Sequence, residues 1–91
     1  GEVMDLVREA IEQQRRLSFR YRDEGGQATE RKVRPLGLYF WGGTWTLAAW
    51  CEARTDFRTF RVDRLKRWEL GDVFPDEAGK GLKDYLARVA D

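Results

Sequence analysis

The sequence predicts a mainly β domain with flanking helices, an α+β arrangement of one helix, five short antiparallel strands and a second helix. Three observations carry this. Apolar residues recur with a period of about 3.6 near the start, the period falls to two at Leu17, and Gly42-Gly43 separates two apolar, aromatic-rich runs. The 91 residues suffice for a single domain with one modest core. Four Trp, five Phe and three Tyr give that core large buried areas per residue.

Val3, Leu6, Val7, Ala10 and Ile11 form one stripe of an amphipathic helix, expected over residues 2–15. Glu2 and Asp5 suit its positive end, and Arg15 and Arg16 its negative end. Leu17, Phe19 and Tyr21 then alternate with Ser18, Arg20 and Arg22, as in a strand with one polar face. The segment "DEGG" breaks this strand into a hairpin loop. A second strand runs through "TERKVRPLGLYFW", where Pro35 forbids a clean ladder and Gly37 suggests a bulge. "TWTLAAWC" follows after the Gly-Gly turn and is apolar on both parities, so one face is expected to be core and the other at least partly covered. "FRTFRVD" and "RLKRWEL" supply the last two strands, ending at Gly71, and Leu82, Tyr85, Leu86 and Val89 resume helical spacing over 81–90. Tight hairpins and bends over 16–71 favour a small, highly curved sheet, a five-stranded antiparallel barrel of SH3-like or Sm-like size. Leu6, Val7, Ile11, Phe19, Leu47, Phe60 and Val62 are its expected core.

Charge is uneven. The net charge is +1, but residues 15–34 and 54–68 each carry +4 while the two ends each carry −3. Thirteen of the seventeen cations are arginine, whose planar fork captures phosphate or carboxylate in bidentate fashion. Arg58, Arg61 and Arg64 are spaced by three and separated by aromatic and polar residues. On a regular strand Arg61 faces away from Arg58, so the three share a site only if a bulge intervenes or the strand ends before Arg64. At least one of them is expected to be structural, Arg64 through Asp63 or a carbonyl. Ser18, Arg20 and Arg22 read as phosphate contacts or as a solvated face. Arg34, at the break before Pro35, is placed to point at a ligand. Trp45 reads either as core, by its parity with Leu47, or as a stacking platform, and Tyr21 as core with its hydroxyl at a rim. Trp41 and Trp50 are candidates for exposed aromatics or for packing against another domain.

The chain has no histidine, which excludes the Ser-His-Asp triad and every histidine-containing zinc site. Its single cysteine, Cys51, excludes an internal disulfide and thiolate zinc sites, and reads as an apolar filler of a reducing, cytoplasmic protein. No phosphate-cradling glycine loop is present. No catalytic residue, metal or cofactor is expected, and a binding module is favoured over an enzyme. No apolar stretch is long enough to span a membrane. The chain opens Gly-Glu-Val, read as a cloning remnant followed by a segment of a longer protein.

The stretch "RKVRPLGLYFWGGTWTLAAWCEARTDFRTFRVDRLKRWEL" resembles the WYL domain of bacterial helix-turn-helix transcriptional regulators. The family's Trp-Tyr-Leu triplet lies at Trp45-Thr46-Leu47, with threonine in place of tyrosine. Tyr21, Arg34-Pro35-Leu36 and Phe60-Arg61-Val62-Asp63-Arg64-Leu65 supply further matches, and the resemblance covers about residues 6–76. It implies an Sm-like barrel, an upstream winged helix-turn-helix domain, a homodimeric full-length protein and a sensing role. The implied ligand is single-stranded nucleic acid or a phosphorylated small molecule. The candidate ligand-binding set is therefore Arg58, Arg61, Arg64, Arg34, Arg20, Ser18, Tyr21 and Trp45. The alternative is an interaction or dimerisation module with no small ligand.

Overall fold

The computed structural model describes residues 1–90. The elements run α1 (Glu2–Gln13), β1 (Arg15–Arg22), β2 (Ala28–Trp41), β3 (Thr44–Cys51), β4 (Asp56–Arg61), a 3₁₀ turn (Val62–Arg64), β5 (Lys66–Val73) and α2 (Leu82–Val89). All pairings are antiparallel, in the order β4-β3-β2-β1-β5. The expected α+β class and element order therefore hold.

Closure does not. β4 and β5 are the two edges of the sheet, so the strands do not join into a hydrogen-bonded barrel. The 3₁₀ turn carries the chain across, and β5 forms its ladder with β1 instead. The sheet still bends strongly. Its register slips between Pro35 and Gly37, where proline lacks a ladder donor, and twice where β5 opposes β1. The Gly42-Gly43 turn has φ of 59° and 80°, the two positive values that a tight hairpin of matching twist needs.

One face of the bent sheet and α1 enclose the core. Leu17 and Phe19 of β1, Val33 of β2, Leu47, Ala49 and Cys51 of β3 and Phe60 of β4 meet Val7 there, with Val62 and Leu65 closing the end. The expected core is confirmed for Val7, Phe19, Leu47, Phe60 and Val62, whereas Leu6 and Ile11 are half-buried at its margin. α1 is shorter than expected, because Gln14 takes a left-handed conformation (φ 56°, ψ 52°) and stops it. Arg15 and Arg16 thus open β1 rather than close the helix. Arg15 Nε donates to the Gly71 carbonyl at 2.8 Å, and Arg16 Nε donates to Glu52 at 3.0 Å.

The other face of β3 and β4 is covered by α2. Tyr85 packs against Phe57 and Tyr39, and Phe57 lies edge-on to Trp50. This explains why β3 is apolar on both parities. Trp50 is accordingly buried, while Trp41 at the hairpin tip is 82% exposed. The Asp84 carboxylate accepts the Gly81 N–H at 3.0 Å and caps α2. The connecting tail is held by Gln14, whose carbonyl accepts the Phe74 N–H at 2.9 Å and whose side chain donates to Asp76 at 2.8 Å.

Candidate functional site

Two adjoining grooves open on the unclosed side of the sheet. The first, about 820 Å³, is lined by the end of β1, the β1–β2 loop, the 3₁₀ turn and the start of β5. Its cations are Arg20, Arg22, Arg64, Lys66 and Arg67. The second, about 660 Å³, lies between that loop and the edge strand β4, with Arg31, Arg58, Arg61 and Arg64 as its cations. Tyr21 and Arg64 line both, so the grooves share a wall. Eight cations thus face three acids, Asp23, Glu24 and Asp63.

Carboxylates take up few of these cations. Arg16, Arg34, Lys80 and Arg88 all hold carboxylates. Of the eight groove cations only Arg61 does so among the described residues, bonding Asp63 from Nη2 at 2.8 Å and from Nε at 3.2 Å. The bond to Asp63 raises the Arg61 guanidinium pKa, and that to Arg61 lowers the Asp63 carboxyl pKa. Arg22 donates to the Gly26 carbonyl within its own hairpin. Arg67 has φ of 50° at a register slip of β5, a strained position for a non-glycine residue, and it lines the first groove.

Of the sequence-derived candidates, Arg20, Tyr21, Arg58, Arg61 and Arg64 come together here. β4 ends at Arg61 and the 3₁₀ turn follows, which is how arginines three apart reach one groove. The residue tied to Asp63 is Arg61 rather than Arg64. Three candidates lie elsewhere. Arg34 is 7% exposed and donates to Glu52 and Glu77, each at 3.0 Å, with its guanidinium over the Phe74 ring. Burial alone would lower its pKa, but the bonds to Glu77 and Glu52 outweigh this and raise it. Arg34 is a structural clasp for the tail. Ser18 lines neither groove, sitting mid-strand opposite Lys32 and Glu69. Trp45 is neither core nor groove wall: it is 39% exposed beside Phe40 on the β2–β3 hairpin. Its parity is inward, but the hairpin extends past the core it faces.

Sequence reasoning missed Arg31. It opposes Phe19 in the β1–β2 register and shares the inward parity of Val33, yet it is a cation and only 8% exposed. Its Nε donates to Thr29 Oγ1 at 2.9 Å, and its guanidinium lies 5.8 Å from the centre of the Phe60 ring. Its Nη1 is buried with no hydrogen-bond partner among the described residues. The available signal was an arginine on the core parity of "ERKVRP". Among the described residues no cluster of His, Cys, Asp and Glu could hold a metal, and no helix is long and apolar enough to cross a membrane.

Comparison with known proteins agrees with this architecture. The family model described as "WYL domain" matches residues 2–70. An uncharacterised helix-turn-helix-type transcriptional regulator, YobV of Bacillus subtilis (strain 168), is 35% identical over 64 residues, covering 70% of this chain. The solved structure of proteasome accessory factor B/C (PafBC) of Arthrobacter aurescens superposes with a TM-score of 0.72 at 30% identity, covering 87% of this chain. The chain spans only 20% of the first protein and 12% of the second. With the five antiparallel strands, the preceding helix and the family match in agreement, the chain belongs to the WYL domain family.

Proposed function

We propose that the chain is the ligand-sensing unit of a bacterial transcriptional regulator and binds single-stranded nucleic acid, or another phosphorylated ligand, along the arginine-lined double groove. The observation that carries this reading is the set of seven cations without a carboxylate partner among the described residues gathered in two adjoining grooves, whereas Arg16 and Arg34, packed elsewhere, are paired. Such a cluster repels itself, and phosphate relieves that repulsion. Two grooves sharing Tyr21 and Arg64 suit an extended chain of phosphates better than a single small anion. In this reading the unit belongs to a longer, cytoplasmic, homodimeric protein whose helix-turn-helix domain reads duplex DNA, and it performs no catalysis. The hairpin tip with Phe40, Trp41 and Trp45 exposed favours a second role, docking to another part of that assembly.

The test is salt-dependent binding of a short oligothymidylate by fluorescence anisotropy. Arg58→Ala with Arg64→Ala should weaken binding and flatten the log–log salt slope by roughly 0.7 for each phosphate the variant no longer neutralises. Arg8→Ala with Lys83→Ala, on the exposed faces of α1 and α2, removes the same formal charge and should change neither. Equal losses in the two pairs would mean attraction to net charge alone and would refute the groove.

A further inference from the structure

Two arginines of β2 are buried to nearly the same degree, and they are treated oppositely. Arg34, 7% exposed, meets Glu52 and Glu77. Arg31, 8% exposed, meets no carboxylate, and its Nη1 is left unpartnered among the described residues. A guanidinium does not shed its proton inside a protein, so the charge of Arg31 stays. One bond to Thr29 and the face of Phe60 offset only part of its lost hydration. Arg31 borders two openings, a small cleft beside Cys51 and Arg54 and the larger second groove, and only the second brings several further cations to it.

Resting on the nucleic-acid reading above, we infer that Arg31 is the receptor for one terminal phosphate monoester, so that the groove distinguishes a phosphorylated end from the interior of a strand. An internal phosphodiester carries a nucleoside on both sides and spreads one negative charge. A terminal monoester has one substituent, three free oxygens and about −1.5 to −2 charges at neutral pH. Only the slimmer group fits a guanidinium recessed beside Phe60. The groove holds a matching donor on the same face of the sheet: Arg58, which has the same parity as Phe60 and no carboxylate partner among the described residues. The exposed cations of the first groove serve the following diesters. Arg31 is thus a specificity-determining residue, whereas Arg20, Lys66 and Arg67 contribute attraction.

The experiment compares the parent chain with Arg31→Met, which keeps length and apolar bulk. The probes are oligothymidylates of about eight nucleotides phosphorylated at the 5′ end, at the 3′ end or at neither, together with thymidine 5′-monophosphate. The parent should bind one phosphorylated form about tenfold or more tightly than the unphosphorylated strand, the effect of a charge-assisted bond to a buried group. Arg31→Met should erase that gap and melt no lower than the parent without ligand. Binding of the monophosphate but of no strand would support the same receptor for a small phosphorylated ligand. Equal binding of all three strands by the parent would overturn the inference and leave the groove reading intact. A gap that survives in Arg31→Met, or a melting temperature several degrees lower, would also overturn it. Loss of every probe by the parent would sink both readings.

Discussion

The Tyr21 hydroxyl accepts the backbone N–H of Arg61 at 3.1 Å, linking β1 to an edge strand that is not its neighbour in the sheet. The donor points away from β3, and such an edge donor would otherwise rely on water. The ring beneath lies edge-on to Phe60 and Phe19, at 5.1 and 6.3 Å between centres. One side chain therefore joins the core, the edge strand and both grooves.

Tyr21→Phe should keep the fold and lower stability by about 0.5–1 kcal/mol, the lower part of the range for one hydrogen bond, because water can reach the exposed Arg61 N–H. Oligonucleotide affinity should fall as the Arg61–Asp63 corner loosens. Urea denaturation and anisotropy on the same sample check both. A loss well above 2 kcal/mol would mean that the hydroxyl supports more than this one donor.

Arg67→Gly should leave stability unchanged or raise it by up to about 1 kcal/mol. Relief of a left-handed backbone, worth roughly 1–2 kcal/mol, outweighs the extra freedom that glycine gives the unfolded chain. Affinity for single-stranded oligonucleotide should drop. A folded-state strain maintained for a groove cation predicts opposite signs in the two measurements. A fall in both would make Arg67 a structural part of the β5 bulge.

Trp45→Ala should change neither oligonucleotide affinity nor its salt slope, because the side chain lies on the β2–β3 hairpin, outside both grooves. Its stability cost should stay near 1 kcal/mol, since the ring is 39% exposed and packs edge-on to one aromatic. A severalfold loss of affinity would place a stacking platform at the hairpin after all.

These residues also show what the sequence makes legible. Alternation at Leu17, Phe19 and Tyr21 reports the inward face directly, and Pro35 and Gly42-Gly43 announce the bulge and turn through their own backbone chemistry. Parity says which way Trp45 points but not that the hairpin outruns the core. Arg34 reads as free in the sequence because its carboxylates lie 18 and 43 residues away. Arg31 is hidden by the opposite assumption, that a cation belongs on the polar face. The open sheet depends on which strand β5 pairs with, a long-range choice that no local pattern encodes.

The Arg16–Glu52–Arg34–Glu77 chain of ion pairs should make stability sensitive to acid. Partial burial would raise the Glu52 carboxyl, but the bonds from Arg16 and Arg34 prevail and hold it below its ordinary value. Lys80 first, then Arg34, lower Glu77 in the same way. Folded values below unfolded ones contribute stability that is fully present above the unfolded pKa of about 4.3 and is lost as pH falls through the folded value. Glu52→Gln should therefore cost about 1–3 kcal/mol at neutral pH, less than a fully buried pair because Glu52 is partly exposed and Arg34 keeps Glu77. As pH falls through that folded value the parent loses the same charge, so the two denaturation midpoints should converge in acid. Affinity for oligonucleotide at neutral pH should be unchanged, since the clasp lies outside both grooves. If the difference between parent and variant persists undiminished in acid, the clasp works through uncharged hydrogen bonds and its electrostatic account is wrong.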